Sequence, residues 1–237
     1  MIERDGYPYI FGALTAAAVG FGASLLFDEQ WPQTFALVFV FFALCFALFF
    51  RSPKRETELA EGEIVSPADG RVIKIENLES YRGFSGPVQK ISIFLSVFDV
   101  HVNWTPAAGK VSYVEHRPGK FHVAYVDKAS EYNERTEIGL DTPLGPVVFR
   151  QIAGSIARRI VCRLQPGQTV RGAEKFGMIK FGSRAEVIVA AGSETLVSRK
   201  QHVRGGQTVI ARLAPRSTNV EGQQVSAHEP SSGEMNS

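Results

Sequence analysis

The sequence predicts a mainly β (α+β) domain standing behind an N-terminal pair of membrane-length helices. Two observations carry this. From Glu61 onward, short β-like runs alternate with Gly, Pro and Asn, and no long amphipathic helix is visible. Before residue 51 the chain holds two nearly uncharged apolar runs, Tyr7–Phe27 and Trp31–Phe50. At 237 residues and 44% hydrophobic, this is one domain of ordinary size with something added.

Each apolar run has about the length that spans a bilayer, ~20 residues. Asp28-Glu29-Gln30 separates them with a short turn. A cleaved signal peptide fits poorly: Met1-Ile-Glu-Arg-Asp5 lacks a basic region, and a second apolar run follows directly. That second run is apolar on every face, which favours lipid over a buried hairpin. Tyr7, Tyr9 and Trp31 suit the interface. The flank Arg51-Ser-Pro-Lys-Arg55 is basic and the turn is acidic, so both hairpin ends are expected on the cytoplasmic side. Residues 1–55 then form a hairpin in the cell (inner) membrane, with the remaining chain on its cytoplasmic face. Shallow insertion into one leaflet is the alternative. After residue 50 there are 25 basic and 20 acidic residues, +5. That is too little for a nucleic-acid footprint and compatible with an anionic membrane surface.

Within residues 56–213 the expected strands are Glu63–Ser66, Arg71–Ile75, Lys90–Leu95, Lys110–Glu115, Pro146–Ile152, Arg159–Leu164, Gly177–Phe181, Ala185–Ala191 and Gln207–Leu213. A short helix is plausible only within 118–131. Two phrases, Gln165-Pro-Gly-Gln-Thr-Val170 and Val203-Arg-Gly-Gly-Gln-Thr-Val-Ile210, share a turn-into-strand form. They resemble the turns of lipoyl and biotinyl carrier domains and of sugar-transport phosphocarrier domains, which implies a barrel-sandwich, lipoyl-like β core. Cys45 and Cys162 have no metal spacing, so no metal site is expected, nor a disulfide between them. Residues 214–237 are Ser-, Gly-, Gln- and Glu-rich and read as a disordered tail.

Four stretches stand out for chemistry. Glu174-Lys-Phe-Gly-Met-Ile-Lys-Phe-Gly-Ser-Arg184 runs a strand into a Gly-Ser pair and on into a second strand. Alone, Gly182-Ser183 is a tight turn, and Gly154-Ser155 and Gly192-Ser193 offer the same dipeptide. Ser66-Pro-Ala-Asp-Gly70 alone is a Pro-initiated turn. Ser96-Val-Phe-Asp-Val-His-Val-Asn-Trp-Thr-Pro106 places His101 at a strand end near Asp99 and Asn103. Arg150-Gln-Ile-Ala-Gly-Ser-Ile-Ala-Arg158, with Arg159 and Arg184, alone is a solvated basic face.

Taken together and in this order, these motifs resemble phosphatidylserine decarboxylases of the short bacterial and archaeal form, over roughly Glu61 to Leu213. Asn133-Glu-Arg135 also resembles a family segment. The resemblance implies a proenzyme that cuts itself between Gly182 and Ser183, Ser183 becoming a covalent pyruvoyl group. It implies that Asp69 orients a His for cleavage, and it puts His101 in the functional role. Arg184, Arg150 and Arg158 are the candidate cations for a substrate phosphate or carboxylate. One departure matters. Longer members carry a second His three residues after the first, and here that position holds Trp104. Either His101 serves both cleavage and decarboxylation, which we favour, or His116 or His122 moves in.

The chemistry is consistent with that implication. Decarboxylating an amino acid leaves a carbanion that needs an electron sink. No pyridoxal site is evident, and a pyruvoyl group does the same work. Making one requires Ser183 to attack the Gly182 carbonyl with help from a base. The expected activity is conversion of phosphatidylserine in the membrane to phosphatidylethanolamine and CO2. The expected state is a heterodimer of chains 1–182 and 183–237, with a higher oligomer possible. Two alternatives remain at this point: a pyruvoyl decarboxylase of another amino-acid-like substrate, and a non-catalytic membrane-anchored lipoyl-like carrier or adaptor module.

Overall fold

The computed structural model describes residues 1–27, 29–119, 133–154, 159–180 and 183–214, Ser183 by its backbone. Asp28, His122, Ser155, Arg158, Phe181 and Gly182 lie outside the described residues, as do residues 120–131 of the expected helix and 215–237 of the expected tail.

Helices α1 (Tyr7–Ser24) and α2 (Trp31–Phe49) fill most of the two apolar runs. Each carries Pro in its first turn, Pro8 and Pro32, where the missing N–H has no intrahelical partner to lose. Gly20 lets the two approach, since a Cβ there would stand 2.7 Å from the Phe35 ring. Tyr9 packs on Phe46 and Phe50, with ring centroids 5.6 and 5.3 Å apart. Among the described residues, one helix, Trp31–Phe49, is long and apolar enough to cross a membrane. Its Leu37, Phe41, Leu44 and Leu48 are exposed.

The rest is mainly β. The strands are β1 (Glu63–Val65), β2 (Gly70–Leu78), β3 (Val88–Leu95), β4 (Val102–Trp104), β5 (Gly109–Arg117), β6 (Arg135–Thr142) and β7 (Gly145–Ala153). There follow β8 (Ile160–Cys162), β9 (Thr169–Val170), β10 (Lys175–Ile179), β11 (Ser183–Ala190), β12 (Glu194–Thr195), β13 (His202–Val203) and β14 (Val209–Arg212). A curled eight-stranded sheet runs β13-β2-β3-β11-β7-β6-β5-β9. Two three-stranded sheets, β1-β14-β12 and β4-β10-β8, complete the domain. The main core lies on one face of the large sheet, where Ile91, Ile93, Ile138, Phe149, Val187 and Val189 meet Phe176 and Ile210. Strand periodicity of two puts Val187 and Val189 inward and Arg184, Glu186 and Ile188 on the other face.

Each expected strand has a counterpart, while β4, β6, β12 and β13 were not anticipated. The two Gly-Gln-Thr-Val phrases do turn into strands, β9 and β14, with Gly167 and Gly206 at φ 85° and 69°. Cys45 and Cys162 are free thiols.

The end of α2 docks on the β domain. Phe49 and Phe50 pack with Val100, Val102, Trp104 and Met178. Polar contacts secure the junction: Lys175 Nζ donates to Ser52 Oγ at 2.6 Å, and Ser52 Oγ donates to Glu3 at 2.6 Å.

Candidate active site

The site lies where β11 begins. Ser183 pairs with Leu95 at the end of β3 and with Ala153 at the end of β7. The Gly182–Ser183 bond is bracketed by described backbone, Lys180 before it and Ser183 after. Asn133 Nδ2 donates to the Ala153 carbonyl at 2.7 Å, which closes the β7 side.

His101 arrives through the loop that follows β3. The Ile179 N–H donates to its carbonyl at 3.1 Å, four residues before Ser183. Its ring is fully buried, with the Phe49 ring 4.2 Å away between centroids. Nδ1 lies 2.9 Å from the Asp99 carbonyl oxygen. A carbonyl only accepts, so Nδ1 donates and Nε2 carries the lone pair. Burial pushes the imidazole pKa down to about 4, with the Arg51 charge adding to the shift. The Asp99 carbonyl bond and the charges of Asp99 and Asp69 oppose it. At neutral pH the ring is therefore an uncharged base.

Asp69 sits in the turn between β1 and β2. Ala68 of that turn packs on Leu95 and Ala185, which places it beside the start of β11. The turn needs its glycine: Gly70 has φ 151°, and a Cβ there would stand 2.2 Å from the Phe94 carbonyl oxygen. The Asp69 carboxylate is held by Arg55, whose second nitrogen lies 2.8 Å from Oδ2, and by the Gly205 N–H at 2.7 Å. Arg55 in turn covers the Trp104 ring at 4.4 Å and donates to the Gly205 carbonyl at 2.6 Å. In this geometry the Asp69 carboxylate is thus tied to Arg55 and Gly205. The charge of Asp69 still reaches His101 through space.

Around these groups runs a buried polar layer. Gln151 Nε2 donates to Asn103 Oδ1 at 2.9 Å and to the Val161 carbonyl at 3.1 Å. Among the described residues, Gln151 Oε1 and Trp104 Nε1 are buried with no hydrogen-bond partner.

Arg150 and Arg184 come to the other face of the sheet. Arg150 lies 2.6 Å from Glu137 and 3.4 Å from Glu186, and Arg184 lies 3.6 Å from Glu186. His116 is on β5, bonded to Thr136 Oγ1 at 3.1 Å, three strands from β11 in the sheet. Sequence reasoning missed the parts played by Phe49, Arg55, the Asp99 carbonyl and Gly205. Arg55 was visible as part of the basic flank, but nothing local tied it to Asp69.

The sequence model of the family described as phosphatidylserine decarboxylase matches residues 42–211. The chain is 43% identical over 213 residues to a phosphatidylserine decarboxylase proenzyme of Azorhizobium caulinodans, covering 89% of this chain and 88% of that protein. It is 43% identical over 212 residues to one of Syntrophus aciditrophicus, covering 88% and 96%. It is 44% identical over 214 residues to one of Symbiobacterium thermophilum, covering 90% and 96%.

Proposed function

The chain belongs to the phosphatidylserine decarboxylase family, and from that premise we propose that it decarboxylates phosphatidylserine with a pyruvoyl group made from its own Ser183. The product is phosphatidylethanolamine, released with CO2. The observation that supports the reading is that β11 begins with the backbone of Ser183, while Ile179, four residues earlier, is bonded to the backbone of His101, whose imidazole is buried and neutral.

Processing follows from the residues present. His101 Nε2 takes the Ser183 hydroxyl proton, and the oxygen attacks the Gly182 carbonyl. The peptide C–N bond breaks, leaving an ester and a free amine at residue 183. Elimination releases the Gly182 carboxylate, and water converts the remaining dehydroalanine to the pyruvoyl group with loss of ammonia. Asp69, fixed by Arg55 and Gly205, contributes negative potential that favours the imidazolium while it lasts. When formed, the pyruvoyl group supplies an electron sink for the carbanion left by CO2. The product carbon then needs a proton, which His101 takes up and passes on. A group whose pKa lies near 4 gives up a proton readily once it has one.

The two chains, 1–182 and 183–237, stay together as a heterodimer. The small chain supplies β11 to the middle of the large sheet, paired on both sides by strands of the large chain. We read residues 1–55 as a membrane hairpin, 56–213 as the catalytic domain with a barrel-sandwich core, and 214–237 as a tail. The matched turns before β9 and β14 support that core. Phe98, 83% exposed, and Val97 lie on the loop leading to His101, and Arg51 at the end of α2 donates to the Phe98 carbonyl at 2.5 Å. An apolar loop tip beside the end of a crossing helix suits a site that works at the cytoplasmic membrane surface. This favours a lipid substrate over a soluble amino acid. Arg150 and Arg184 are not used as phosphate ligands in this proposal, because Glu137 and Glu186 already match their charge.

Ser183→Ala tests the proposal. Wild type should separate on a denaturing gel into 1–182 and 183–237, the small chain lacking a free amino terminus. Borohydride with phosphatidylserine should attach lipid to the small chain. Ser183→Ala should remain one chain with no activity, while Ser193→Ala and Ser155→Ala still cleave. A wild type that stays uncut and shows no carbonyl to hydrazine would overturn the reading.

A further inference from the structure

A cavity lined mainly by charged residues opens between the start of α1 and the β4-β10-β8 sheet. It measures about 400 Å³ and is lined by Arg4, Asp5, Pro8, Tyr9, Arg159, Arg163 and Lys180. Four of these side chains are cationic and one is anionic. The single carboxylate is already engaged, since Asp5 Oδ2 accepts from Arg163 at 2.5 Å. Arg4 and Arg159 make no ion pair within the described residues. Lys180 is the telling member. It is 6% exposed, its Nζ is no closer than 3.7 Å to the Asp5 carboxylate, and it lies over the rings of Tyr9 and Phe50 at 5.4 and 5.8 Å. A nearly buried ammonium that, among the described residues, shares a single carboxylate with Arg163 favours a further anion. The first-turn amides of α1 add positive potential on the same side.

The position of the cavity narrows the ligand. It sits at the end of the hairpin where α1 begins and α2 ends, with the Tyr9 ring in its wall. On the reading above, that end is the cytoplasmic membrane interface, the level of lipid phosphates. The volume is in the range of ligand cavities. We propose that this cavity binds the phosphate of an anionic phospholipid. The inference rests on the membrane placement of the hairpin and not on decarboxylation.

The test uses the full chain in a non-ionic detergent, with bound lipid read by native mass spectrometry. Phosphatidylglycerol is the probe and phosphatidylcholine the zwitterionic comparison, so turnover does not enter. One phosphatidylglycerol per chain should be retained in preference to phosphatidylcholine. The double variant R4Q/R159Q, whose side chains are exposed and free to change, should weaken retention at least tenfold, and Lys180→Met should do the same. The control R82Q/R117Q removes the same charge elsewhere and should leave retention unchanged. Equal weakening in the control, or none in R4Q/R159Q, would overturn the site. Displacement of the lipid by millimolar inorganic phosphate would overturn the lipid assignment in favour of a free-phosphate site. Loss of cleavage in Ser183→Ala leaves this measurement untouched, so the two readings fail separately.

Discussion

Strand β11 separates two buried polar regions built on opposite terms. On its outer face, Arg150 is matched by Glu137 and Glu186, and Arg184 by Glu186. The Tyr81 and Tyr113 hydroxyls donate to Glu137 at 2.7 and 2.8 Å. Burial alone raises the Glu137 carboxyl, but the Arg150 charge and these hydrogen bonds outweigh it and hold the pKa below the ordinary carboxylate value. Burial and the Glu137 bond push the Tyr113 phenol up. Beside the start of the same strand, His101 is buried and uncharged, and among the described residues Trp104 Nε1 and Gln151 Oε1 lack partners. A network of matched charges holds them still, and so does structural work. A neutral base in a layer with unmet hydrogen-bonding capacity is ready to take a proton. The comparison explains why two arginines that look like phosphate ligands in the sequence serve the sheet instead.

The sharpest break would come from His101→Gln, which keeps most of the volume and removes the base. We predict self-cleavage slowed by about two to four orders of magnitude, followed as the ratio of chains on a denaturing gel over time. Normal cleavage would move the base elsewhere and bring His116 or His122 forward.

Arg150→Met attacks the other region. It leaves Glu137 buried without its counter-charge and Glu186 with Arg184 alone, and should cost about 3–5 kcal/mol of stability, read from denaturant unfolding. Protein that folds should still cleave at the wild-type rate. Slow cleavage in folded Arg150→Met would mean the two regions are not separable.

Acid should distinguish them next. His101 has a folded pKa of about 4 against an ordinary value near 6.5, so the unfolded chain takes the proton first as pH falls. Nothing is lost above pH ~6.5, and about 3 kcal/mol should be lost by pH ~4. The difference between wild type and His101→Gln in a urea series across this window isolates the contribution. Cleavage should be flat from neutral pH to about 5 and fall near 4. A cleavage limb between pH 6 and 7 would contradict the buried neutral imidazole.

The smallest effect is expected from Tyr113→Phe, which deletes one of several donors to Glu137. A loss of about 1–2 kcal/mol with unchanged cleavage would fit a structural network of matched charges. Altered cleavage would again couple the regions.

Local patterns carried much of the molecule. Strand alternation and turn residues located each anticipated strand, and apolar length located α1 and α2. What was missed has a common cause. Strand β6, Arg-Thr-Glu-Ile-Gly-Leu-Asp-Thr, carries Glu137, Gly139 and Asp141 and reads as loop. It is a strand because Glu137 finds Tyr81, Tyr113 and Arg150, and because the Tyr113 ring fills the space where a Gly139 side chain would be.

The sequence by itself determined the nucleophile after a glycine at Ser183, a histidine at the end of a β run, and two apolar runs ahead of a β domain. These are properties of near neighbours: spacing, periodicity and residue chemistry. Only the tertiary structure decided which polar groups are satisfied. Arg55 reaches Asp69 from 14 residues away and Gly205 from 136, while the end of a membrane-length helix buries the ring of His101 under Phe49. Burial and counter-charge depend on what the folded chain brings within a few ångströms, and those distances are set by packing between segments that sequence order leaves far apart.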